Sequence, residues 1–228
     1  VVITTLMPIQ SAAMLQVDQV RRSGGVGARS GFQSGLRVMR RFPKARIVAF
    51  EPDPENFRLL ETNVAMNGFE NVELLNLAVS SRRGTARFFG DFDAATPMSS
   101  ANSLRREWGT QRSERSIVVS TVPLADYITG PIDYLKLDIE GAETEVVRSI
   151  AQRLHLVRAL GLEFHGTGGE ARADEDDLVR LLRTSGFEVS IARKTGSIFP
   201  PEIGAWVKRV QPQVSLIQAA RTPDQQSR

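Results

Sequence analysis

The sequence predicts an α/β fold on a doubly wound, mostly parallel sheet. Two stretches carry that expectation. Ile132 to Glu145, IDYLKLDIEGAETE, reads as a buried strand through Ile132, Tyr134, Leu135, Leu137 and Ile139; it turns at Gly141 and enters a helix carrying Val146, Val147 and Ile150. Ile47 to Glu51, IVAFE, is a second short apolar run ending in a charge. Asp53 and Pro54 follow it as an N-cap and a first-turn proline. The helix from Pro54 is expected to bury Phe57, Leu60 and Val64 and to stop at Asn67 and Gly68.

Ligands of open α/β sheets bind at the carboxyl ends of the parallel strands. Lys136, Asp138, Glu140 and Glu143 crowd such an end. Charges there cost desolvation unless they meet water, a partner or a ligand. Asp138 is expected still to lie on the strand, whereas Glu143 also suits a helix N-terminus. Glu51 lies 20 residues beyond Gly31, the spacing at which a carboxylate after the second strand accepts both hydroxyls of a nucleotide ribose.

The other elements follow in order. Gly25 to Phe32, GVGARSGF, is a glycine-rich turn before a helix signal through Leu36, Val38, Met39 and Phe42. LQVDQVRRSG before it makes a poor central strand because of Arg21 and Arg22. Asn71 to Val79 is expected as one strand, Thr85 to Phe89 as another, and 90–116 as a long surface loop that serves as a substrate lid. Ile117 to Val122 is a strand, Pro123 to Ile128 a short helix, and Val157 to Phe164 a core strand ending in His165 and Gly166. Asp174 caps a helix with Leu178, Leu181 and Leu182 inside and Gly186 at its end. Phe187 to Ala192 and Ala205 to Val210 form a final strand pair.

A chain of 228 residues with 41% hydrophobic and 24% charged residues suits one α/β core. Cys is absent, which removes thiolate chemistry and Cys-based metal sites and fits a reducing, cytoplasmic setting. No apolar run reaches the length of a membrane span, and the opening residues lack the basic n-region of a signal peptide. The net charge of +3 includes eight basic and no acidic residues between Gln19 and Phe50, but neither aromatic interleaving nor a reading motif accompanies them, so nucleic acid is not expected as a partner.

Five ordered blocks together resemble the FkbM family of S-adenosylmethionine-dependent methyltransferases: FEPDPENFRLLETN (Phe50 to Asn63), NLAVS (Asn76 to Ser80), TVPLADYI (Thr121 to Ile128), DYLKLDIEGAE (Asp133 to Glu143) and LEFHG (Leu162 to Gly166). The resemblance implies the seven-stranded, Rossmann-like class I methyltransferase fold, with a parallel sheet closed by an antiparallel strand pair. It also implies methyl transfer from S-adenosyl-L-methionine to a hydroxyl oxygen of a small acceptor such as a sugar, glycolipid or natural product. By resemblance, Gly27, Ala28, Gly31, Glu51 and Pro52 hold the donor, Asn76 and Ala78 lie near its adenine, and Asp138 and Glu140 stand beside its methionine end or the acceptor. His165 is the candidate base, its ordinary pKa lying near neutrality. No metal ligands are assigned.

One block departs from the family pattern. Where Asp-x-Gly-Ala-Asn-x-Gly is usual, the chain has Gly25, Gly27, Ala28, Arg29 and Gly31, so the glycines remain and the polar partners do not. Residues 1–24 are therefore expected to be degenerate or poorly ordered, with the domain over 25–210 and a tail over 211–228. Two alternatives stand beside methyl transfer. The glycine spacing followed by Glu51 also suits a nicotinamide oxidoreductase, although the Tyr-x-x-x-Lys pair of short-chain enzymes is absent. The other is a methyltransferase-like binding domain that has lost its donor.

Overall fold

The computed structural model describes residues 2–5, 45–89, 103–104, 107–108, 111–112, 116–166, 171–193 and 213–221. In chain order its elements are β1 (Val2–Thr5), β2 (Ile47–Phe50), α1 (Pro54–Met66), β3 (Val72–Leu75), β4 (Ala78–Ser80), β5 (Gly84–Phe89), β6 (Glu107–Trp108) and β7 (Gln111–Arg112). They continue with β8 (Ser116–Pro123), β9 (Tyr134–Leu137), α2 (Glu143–Ser149), β10 (Ala159–Gly166), α3 (Ala171–Thr184), β11 (Glu188–Arg193) and β12 (Gln213–Ala220).

Seven strands form one sheet in the order β11-β12-β10-β9-β1-β2-β3. The pairs β3–β2, β2–β1, β1–β9 and β9–β10 are parallel, and β12 runs antiparallel to both β10 and β11. Two strands of this sheet, β1 and β12, come from outside residues 25–210. β1 lies at the centre of the sheet within the stretch expected to be poorly ordered, and the β-branched run VITT explains why it pairs. β12 lies in the stretch expected as a tail. Its apolar residues Val214, Leu216 and Ile217 sit opposite His165, Glu163 and Leu162 of β10. The strand expected at 205–210 lies outside the described residues, as do the glycine-rich turn and the helix after it.

Alternation along β2 shows why both sheet faces are covered. Val48 and Phe50 join the main core with Leu135, Leu137, Val146 and Leu178, while Ile47 and Ala49 pack with Leu60 and Val64 of α1. The helix α1 starts where the sequence places it. Asp53 Oδ1 accepts the N–H groups of Glu55 (2.8 Å) and Asn56 (3.1 Å), and Gly68 ends it at φ 65°. Phe57 is only half-buried, and Asn56 takes the buried position instead.

Other expectations shift locally. The strand expected over 71–79 breaks at Asn76, and its second half, β4, leaves the main sheet to join a three-stranded sheet of order β4-β8-β5. Asp174 lies in the first turn of α3 and does not cap it, because that helix begins at Ala171. Part of the 90–116 segment is regular: β6 pairs with β7, and Ser103 bridges Phe89.

Candidate active site

The parallel strands β9 and β10 deliver three side chains to one point at their carboxyl ends. β9 stops at Leu137, so Asp138 is the first residue beyond it, one step later than the sequence implies. The chain then turns through Glu140 at φ 49° and Gly141 at φ 97°. A left-handed conformation in a residue with a Cβ costs energy and persists where surrounding contacts impose it. Here they are visible. Glu143, the first residue of α2 and almost fully buried, turns its carboxylate back onto this loop and accepts the N–H of Gly141 at 3.0 Å and that of Ile139 at 3.3 Å. Ser103 Oγ donates to the Glu140 carbonyl at 2.7 Å from the other side.

His165, on β10, faces the same turn. Its Nδ1 lies 3.2 Å from Glu143 Oε1 and its Nε2 3.6 Å from Glu140 Oε2. A carboxylate only accepts hydrogen bonds, so the Nδ1–H donates to Glu143. Lys136 Nζ stands 3.0 Å from Asp138 Oδ2. One ligand atom each from Asp138, Glu140 and His165 falls within 4.8 Å of the others, and all three residues are buried.

The electrostatics follow from this crowding. Burial pushes the Asp138 carboxyl up, against the opposing pull of Lys136. Burial by itself pulls the His165 imidazole down. The Glu143 hydrogen bond and the charges of Glu140, Glu143 and Asp138 outweigh it and raise the ring to about 9. A ring raised in this way holds its proton more tightly than a free imidazole. The sequence expects an ordinary pKa near neutrality for His165; the carboxylates that raise it come from the turn after β9 and the start of α2 and become visible only in three dimensions.

The second group of expected residues meets at the end of β2. Glu51 is buried, its Oε1 accepts the Asp53 N–H at 2.9 Å, and burial, reinforced by the Asp53 charge, pushes its carboxyl well above the usual range. The Asn56 amide lies against it and offsets part of that rise, yet Asn56 Nδ2 makes no hydrogen bond of ordinary geometry. Asn76 Nδ2 donates to the carbonyls of Glu51 (2.8 Å) and Pro52 (3.1 Å), so this side chain braces the turn that presents Glu51. Ala78 is buried in β4. Gly27, Ala28 and Gly31 lie outside the described residues. Ser103 and the anchoring role of Glu143 were missed from sequence. A lone Ser in a Ser-rich stretch carries no signal, and a Glu at a helix start reads as ordinary capping.

A mostly parallel sheet of this order with helices packed against it is an α/β fold. The Methyltransferase FkbM domain matches residues 25–189, and the chain belongs to that family. Methyltransferase sdnD of Sordaria araneosa is 28% identical over 192 residues, covering 72% of each chain. The 2-O-methyltransferase NoeI of Sinorhizobium fredii is 28% identical over 152 residues, which cover 61% of each chain. The crystal structure of methyltransferase FkbM from Methylobacillus flagellatus KT aligns with a TM-score of 0.49 at 12% identity, over 81% of this chain and 40% of that one. Family membership sets aside the nicotinamide oxidoreductase. Among the described residues no helix is long and apolar enough to cross a membrane.

Proposed function

We propose that the chain transfers a methyl group from S-adenosyl-L-methionine to a hydroxyl oxygen of a small acceptor, a sugar, glycolipid or natural product. One observation carries the reading. The strand order sets Glu51, at the end of β2, and the Asp138–Glu140–His165 cluster, at the ends of β9 and β10, along one edge of the sheet with β1 between them. A ribose held by Glu51 directs the rest of a nucleoside-linked donor along that edge toward the cluster. The 2-O-methyltransferase name of one relative supports oxygen as the acceptor atom.

Alignment supplies much of the acceleration, since the sulfonium already activates the carbon. An acceptor oxygen lone pair forms the new C–O bond as the C–S bond breaks, and that electron pair stays on sulfur as the neutral thioether. The hydroxyl proton passes to a carboxylate. Asp138 suits this role because burial raises its proton affinity, while the His165 cation helps hold the opposing carboxylates in place. Calorimetric titration with S-adenosylhomocysteine tests the reading. Saturable binding is expected, and Glu51→Ala should weaken it about 10- to 100-fold, the worth of a charged hydrogen bond. No binding by the parent chain, or no transfer of labelled methyl to any hydroxylated acceptor in a broad panel, would overturn it.

A further inference from the structure

The cluster at the ends of β9 and β10 has the composition and arrangement of a metal site. We propose that Asp138, Glu140 and His165 bind one divalent cation of the Mn2+ or Zn2+ kind. Each offers a ligand atom, and the three atoms lie within 4.8 Å of one another. Ligands about 2.1 Å from a shared ion stand roughly 3 to 4 Å apart, so torsional adjustment of under about 1 Å closes the set. His165 Nε2 and Glu140 Oε2 are already at 3.6 Å.

Two further features belong to a metal centre. His165 hands its Nδ1–H to the Glu143 carboxylate, which is itself pinned by the Gly141 and Ile139 N–H groups. That is the carboxylate–histidine arrangement that fixes a ligating ring, and it directs Nε2 toward Glu140. The charge balance agrees. Among the described residues Lys136 pairs with Asp138, Glu163 adds its negative field there, and Glu140 and Glu143 set two further carboxylates around His165. Two carboxylate oxygens with one imidazole nitrogen suit a borderline cation better than Mg2+, which favours oxygen alone.

The binding site stands on this geometry alone. Its catalytic part rests on the methyl-transfer reading: a bound ion would supply Lewis-acid polarisation of the acceptor hydroxyl, with Asp138 and His165 serving as its ligands in place of the roles they have in the metal-free site. The test is titration of the full chain with Mn2+, following free Mn2+ by electron paramagnetic resonance, alongside calorimetry with S-adenosylhomocysteine. One Mn2+ per chain is expected, weakened at least 10-fold in Glu140→Gln and in His165→Ala. Lys136→Met, which removes the competing ammonium from Asp138, should tighten it. Circular dichroism on each variant separates loss of ligand from loss of fold. No saturable Mn2+ or Zn2+ binding, or binding untouched by the folded Glu140 and His165 variants, would overturn the site. S-adenosylhomocysteine binding without Mn2+ rejects the metal and leaves the donor reading standing; Mn2+ binding without S-adenosylhomocysteine does the reverse.

Discussion

His165, on β10, and Glu143, the first residue of α2, meet at 3.2 Å, Nδ1 to Oε1, both buried. The contact ties β10 to the turn after β9, because the same carboxylate carries the N–H groups of Gly141 and Ile139. Glu143→Gln places an amide where three donors converge, and one of them loses its acceptor. We expect a loss of about 1–3 kcal/mol in chemical denaturation and a change in the His165 ring resonances in NMR. A variant with parent stability and an unmoved ring would show that the carboxylate does not anchor the site.

Ser103 reaches the same turn from the segment between β5 and β8. It exchanges two backbone hydrogen bonds with Phe89, at 2.8 and 2.9 Å, while its hydroxyl donates to the Glu140 carbonyl. Ser103→Ala should cost about 1 kcal/mol. It should also speed hydrogen exchange at Gly141, because the left-handed turn at Glu140 loses one of its restraints. Unchanged exchange there would make Ser103 a plain core contact.

Glu51 carries an opposition between stability and binding. Burial raises its folded-state proton affinity above the unfolded value, so its favourable contribution is present below about pH 4.3, the unfolded value, and is lost as pH rises through the raised folded value. Glu51→Gln keeps an oxygen for the Asp53 N–H and removes the charge. The variant should be more stable than the parent at pH 7, by about 2–4 °C in Tm for each kcal/mol gained, and equal to it near pH 4. Its affinity for S-adenosylhomocysteine should fall at the same time. A lower Tm at pH 7 would refute this account of the carboxyl.

A fourth test concerns packing between β9 and β10. A Cβ on Gly161 of β10 would fall 2.1 Å from the Tyr134 hydroxyl and 3.1 Å from its Cζ. Gly161→Ala should therefore destabilise by about 1–3 kcal/mol. In a Tyr134→Phe background the cost should shrink, since the nearer atom is gone; equal costs in both backgrounds would place the strain elsewhere.

The chain by itself determined the parts of this protein that depend on local pattern. The apolar run Ile47–Phe50, the Asp53–Pro54 helix start and the Gly68 stop are written over a few residues, and each forms as read. The acidic strand end at Asp138 and Glu140 is equally local, because charges at the edge of a buried run are visible in one dimension. The tertiary structure decided whatever depends on pairing across the chain. Val2–Thr5 is too short to mark a central strand until β2 and β9 flank it, and Gln213–Ala220 reads as a fading tail until β10 and β11 supply its hydrogen bonds. The same holds for the chemistry of His165. An imidazole takes its proton affinity from its neighbours, and Glu143, which stands 22 residues away in the chain, is among those that set it.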